Sequence, residues 1–135
     1  MSSQPPTGKT RADFKALRET LGITHPWLAD QLTMNVRNTH RWEADTTNSW
    51  YQPPDKAWNL LYNLKKDHDK YIHQTVKQAT IHHKIGDTIT LTYYHKNNQS
   101  HLDLPRDIIN ARIRAAGTIL EHLGYTVTYQ YPDHT

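Results

Sequence analysis

The chain is expected to be mostly helical, an α+β protein with a bundle of short helices first, a long helix next and a small strand-helix-strand end. Three observations predict this. Short segments with apolar residues at helical spacing and with capping residues in front of them fill the region from Thr10 to Glu43. A run with no glycine or proline then extends from Asp55 to Ile85, and two stretches that alternate threonine with apolar residues bracket a further helical pattern.

The first helix opens after Thr10, with Asp13 in a capping-box arrangement and Phe14, Leu17 and Leu21 on one face, and Gly22 ends it. Thr24 caps the second, where Pro26 sits in the first turn and Leu28, Ala29 and Leu32 face inward. Ala29 is small, which lets the next helix cross closely. Asn35 caps a third helix in which Thr39 and Trp42 face inward, so Val36, Arg37, His40 and Arg41 point outward. Two short helices joined by a tight turn, with arginines on the second, have the layout of a helix-turn-helix that reads double-stranded DNA in the major groove. Arginine forks onto guanine O6 and N7, histidine donates to the same atoms, and valine packs on a thymine methyl. Val36, Arg37, His40 and Arg41 are therefore the expected base readers. Asn35 and Asn38, with Thr46, Thr47 and Asn48 in the following loop, are expected at phosphates.

From Pro54, the residues Trp58, Leu61, Leu64, His68, Ile72, Val76 and Ala79 recur every three or four positions, which predicts one long helix with Trp58 and Leu61 in the core. Asp87–His95 alternates as a strand, KNNQS is a loop, and Pro105 opens a helix carrying Ile109, Ile113, Ala116, Leu120 and Leu123, followed by Gly124 as its C-cap. Tyr125–Tyr131 alternates as a second strand. Two strands under one helix stand poorly alone in water, so this part is expected to be a dimerisation domain. A second copy would complete a sheet of about four strands across a two-fold axis. Ile109, Ile113, Leu120 and Val127 are the expected apolar interior of that homodimer interface. The domains are then a disordered tail at 1–9, a DNA-binding domain at 10–66 and a dimerisation domain at 67–135.

The segments LRETLGIT, LADQL and RWE, within Phe14–Leu64, resemble the Cro/CI (XRE-like) helix-turn-helix repressors. The order of elements and the PPDKAWNLL stretch after RWEAD also look like the anti-CRISPR-associated autorepressors. The resemblance implies an Arg18–Glu43 ion pair tying the first helix to the end of the recognition helix. It also implies a phosphate contact from His25, and an operon of phage or mobile-element origin that the protein itself controls. Thr33 departs from the pattern at a turn position that is usually glycine, where a β-branched residue is strained, so the turn is expected to be rebuilt.

Composition narrows the alternatives. The formal net charge is only +3, spread over both halves, so the DNA argument rests on placement rather than bulk charge. No cysteine excludes disulfides and thiolate zinc sites. The lack of a signal-like or membrane-length apolar run predicts a soluble cytoplasmic protein with no membrane association. Among the ten histidines, His68, His73, His82 and His83 lack the spacing of a helical chelate and are expected as solvated surface residues, with no metal site. No nucleophile elbow, phosphate loop or acid pair predicts a catalytic function or a cofactor, a small histidine nuclease being the rival from that class. Trp50, Tyr51 and Tyr62 would serve a single-strand or RNA reader by stacking, but Pro53 and Pro54 favour packing of Trp50 and Tyr51 in the loop. The reading reached from sequence is a homodimeric repressor on an inverted-repeat operator. The alternative is an antitoxin whose second half captures a partner toxin.

Overall fold

The computed structural model describes residues 8–44 and 52–132. It contains α1 (Arg11–Leu21), α2 (His25–Leu32), α3 (Val36–Glu43), α4 (Asp55–His82), β1 (Thr88–Thr92), α5 (Arg106–His122) and β2 (Thr126–Gln130). The architecture is mostly α with one small parallel sheet. The chain divides into two compact units, residues 1–65 and 66–135, with the boundary inside α4. The expected tail at 1–9 falls mostly outside the described residues.

In the first unit Phe14 organises the core. Its ring meets Trp42 and Trp58 edge-on, at centroid distances of 6.0 and 5.0 Å, the perpendicular geometry that aromatic quadrupoles favour. Leu21, Ile23, Leu28, Ala29, Ala57 and Leu61 are also buried in this unit. Thr10 and Asp13 close a reciprocal capping box on α1, and Gly22 ends the helix in a left-handed conformation at φ 76°, which costs a glycine no steric penalty.

The second unit is a β-α-β arrangement with parallel strands, in register Thr88↔Thr126 to Thr92↔Gln130. Alternation divides the sheet: Ile89, Leu91 and Val127 pack with Val76, Ala79, Leu120 and Tyr125, while Thr88, Thr90, Thr92, Thr126 and Thr128 are exposed. The strands are shorter than their alternating segments. Tyr93 still donates to the Gln130 carbonyl at 2.8 Å, but the Asn110 side chain takes both the N–H and the carbonyl of Tyr94, at 2.9 and 2.7 Å. The ladder therefore stops. Gly124 is not itself the C-cap of α5 but the residue after it, with φ 103° following Leu123. Gly117, inside α5, leaves room for the Tyr129 hydroxyl, which a Cβ would meet at 2.1 Å.

Three of the four residues expected at a dimer interface lie instead in this unit's own interior. Ile109, Ile113 and Leu120 are 2 %, 4 % and 0 % exposed within one chain, and Val127 is half-buried against the same core as Leu120. Leu120 packs with Ile89 of the sheet and with Val76 and Ala79 of α4, and Ile109 and Ile113 are buried within the single chain, so these side chains are not surface available to a second copy. Arg112 is buried as well, with its guanidinium 5.9 Å from the centre of the Tyr71 ring and no hydrogen-bond partner for Nε or Nη2 among the described residues.

Candidate nucleic-acid interface

The helix-turn-helix is built by three local devices. Thr24 caps α2 by accepting from the Trp27 N–H at 3.2 Å. Asn35 caps α3 by accepting from the Arg37 N–H at 2.8 Å. Between them Thr33 takes the left-handed conformation itself, at φ 54° and ψ 53°, so the turn keeps its form and is not rebuilt. The Thr33 and Met34 N–H groups donate back to Asp30 and Ala29 at 3.2 and 2.9 Å, satisfying helix-end carbonyls and offsetting the strain of a β-branched residue there.

These caps set the rotation of α3. Thr39 and Trp42 are 0 % and 4 % exposed and face the core. Val36, Arg37 and His40 are exposed, and Arg41 is half-buried. The structure thus brings the four expected base readers onto one helix, with three of them on its open side. The Arg41 carbonyl also accepts from Arg11 Nη1 at 3.1 Å, which ties the end of α3 to the start of α1. Among the expected phosphate contacts, Asn35 is exposed and commits its side-chain oxygen to the cap, and Asn38 is half-buried. Thr46, Thr47 and Asn48 lie outside the described residues, as do Trp50 and Tyr51.

His25 departs from its expected role. Its Nδ1 is 2.9 Å from Thr39 Oγ1 and its Nε2 is 3.3 Å from Glu43 Oε1. Both ring nitrogens are turned to partners inside the unit, so the imidazole is not offered to a phosphate. Glu43 in turn receives the Arg18 guanidinium through two bonds, Nε to Oε2 at 2.6 Å and Nη2 to Oε1 at 3.0 Å. Arg18 Nη1 completes the anchor by donating to the Ile23 carbonyl at 2.8 Å. Burial, followed by the Arg18 charge, holds the His25 imidazole below its ordinary pKa, with Glu43 opposing.

Two features had no reading in the sequence. Lys9, Arg11 and Lys15 line a cleft of about 520 Å³ with Glu43 and Ala44, placing cationic side chains beside the end of α3. His25 also stacks on His40, with ring centroids 3.7 Å apart and 24° between planes. Residues fifteen apart on separate helices follow no periodicity that would announce the contact. His68, expected at the surface, is 4 % exposed, because its position continues the inward stripe of α4. Nδ1 of His83 lies 2.9 Å from the Ala79 carbonyl, which can only accept, so that nitrogen carries the hydrogen. Among the described residues no three metal-ligating side chains come together, and no helix is long and apolar enough to cross a membrane.

No family model matches the chain. Axin-1 of Danio rerio is 28 % identical to it over 123 residues, covering 84 % of this chain and 14 % of Axin-1. The chain therefore spans a small part of the length of that curated relative.

Proposed function

We propose that the protein is a sequence-specific reader of double-stranded DNA that acts as a homodimeric transcriptional repressor. The division of α3 into two faces carries this reading: Thr39 and Trp42 are sealed in the core while Val36, Arg37 and His40 stand in solvent. A short, rigidly capped helix with arginine and histidine on its open side suits insertion into a major groove. Lys9 and Lys15 add positive charge beside the end of that helix, where a flanking phosphate would be neutralised. Repression follows by occlusion, the bound dimer covering a promoter that includes the protein's own. Pairing falls to surface residues of the second unit, since Ile109, Ile113 and Leu120 are interior.

Selection of duplexes from random DNA with the intact protein, followed by footprinting and sedimentation, tests the reading. The expected product is an inverted repeat whose half-sites lie ~34 Å apart or a multiple of it, bound by a dimer. Absence of any enriched sequence overturns DNA reading, and a monomer protecting one non-palindromic site overturns the dimeric form.

A further inference from the structure

The His25–His40 stack joins two side chains of unequal freedom. His40 is exposed on α3, whereas His25 is held at both nitrogens by Thr39 and Glu43. Thr39 has one hydroxyl hydrogen and two acceptors within reach, His25 Nδ1 at 2.9 Å and the Val36 carbonyl at 2.8 Å. If the hydrogen goes to His25, the imidazole is neutral and donates from Nε2 to Glu43. If it goes to Val36, Nδ1 is itself the donor. With Nδ1 as donor, only the imidazolium also donates from Nε2 to Glu43, and in either arrangement both nitrogens hold the ring to the same partners. Behind it stands a fixed chain, because Glu43 is gripped twice by Arg18 from α1 and Arg18 is pinned to the Ile23 carbonyl.

We propose that His25 is a positioning residue for base reading, holding the His40 ring by stacking so that its edge meets one purine in the major groove. This rests on the reading of α3 as the recognition helix. Stacking covers one face of the His40 ring and leaves its nitrogen-bearing edge for the acceptor atoms N7 and O6 of a guanine. A solvated histidine samples several rotamers and loses that freedom on binding, whereas a ring already confined against a rigid neighbour loses less. Three helices cooperate in this: Arg18 from α1, His25 from α2, and Thr39, His40 and Glu43 from α3.

The test uses the intact protein on its selected duplex and on single-base-pair variants of it. His40→Ala identifies the base pair by abolishing discrimination there. His25→Ala is expected to lower discrimination at that base pair about tenfold, near the low end of what one base contact supplies, with no change at base pairs read by Arg37. His25→Phe keeps a stacking ring without the nitrogens and is expected to recover most of the loss. His25→Gln keeps polar groups without the ring and is expected to behave as the Ala variant does. Unfolding midpoints of all variants are measured alongside, and the Phe and Gln pair decides the matter if the Ala variant does not fold. Discrimination that depends on His40 but survives both His25→Ala and His25→Gln, or that Phe fails to recover, overturns the positioning role alone. If the protein shows no sequence preference on DNA, the reading of α3 fails with it.

Discussion

Arg18 and Glu43 meet as a fork on a carboxylate, at 2.6 and 3.0 Å, with side chains only 10 % and 5 % exposed. Planar bidentate geometry is what makes arginine, and not lysine, suited to this position. Removing either partner leaves the other's charge in a nearly dry site. Arg18→Met or Glu43→Gln is expected to cost about 3–5 kcal/mol, and the double variant less than the sum of the two. A double-mutant cycle by denaturant unfolding measures this, and additive effects would show that the two charges do not depend on each other.

Arg37 stands on the open side of α3. Arg37→Ala is expected to remove about 1–3 kcal/mol of discrimination at one or two base pairs while leaving non-specific binding nearly unchanged. Competition binding against operator variants reads the effect. Equal weakening on every sequence would assign Arg37 to phosphate instead.

The lowered pKa of His25, caused first by burial and then by Arg18, gives stability a pH dependence of definite sign. Between the ordinary imidazole value of about 6.5 and the lowered one, the unfolded chain binds a proton that the folded chain does not. Stability is therefore full above that ordinary value and falls as the pH drops through the window. His25→Gln is expected to flatten this decline, read as unfolding midpoints from about pH 7 to about pH 5. An unchanged slope would place the acid sensitivity on other groups.

Ile113, at 4 % exposure, tests whether α5 is core or interface. Ile113→Ala is expected to cost about 2–5 kcal/mol of folding stability by leaving a cavity, with no change in sedimentation under conditions where the variant remains folded. Dissociation without loss of stability would return Ile113 to an interface.

Arg112 makes the opposite prediction. Two of its nitrogens are buried without a partner among the described residues, and burial lowers its pKa, against the pull of Asp67 and Tyr71. Arg112→Met keeps most of the volume and removes the desolvated charge, so it is expected to raise stability by about 1–3 kcal/mol. Thermal unfolding of the variant checks the sign.

The elements were largely legible in the sequence because each announces itself locally. Thr10, Thr24 and Asn35 carry their caps within three residues, and the stripe from Trp58 to Ala79 marks the long helix. Alternating threonines mark both strands. Partners between elements were harder to see. The stripe Ile109, Ile113 and Leu120 states that something apolar covers it, but periodicity does not say whether that cover is the same chain or another. Arg112 occurs in the middle of a helix whose other arginines reach solvent or a neighbouring carbonyl, so nothing local marks it as buried. Of the candidate interface, the outward face of α3 followed from its caps. The Arg18–Glu43 pair came through family resemblance, and the His25–His40 stack depends on how two helices cross, which no single segment encodes.

The parallel pairing of Thr88 with Thr126 has a consequence for the order of events during synthesis. A hairpin closes as soon as its turn is made, but β1 is separated from its partner strand by the whole of α5, which has to be made in between. At cellular elongation rates of ~5–20 residues per second that interval is a few seconds, long compared with helix formation. The first unit, whose contacts lie within residues 1–65, can be complete throughout that time. Until β2 follows α5 into place, the nascent chain carries a finished first unit and an unpaired strand rich in threonine and β-branched residues, the period in which this protein is most exposed to strand-edge association.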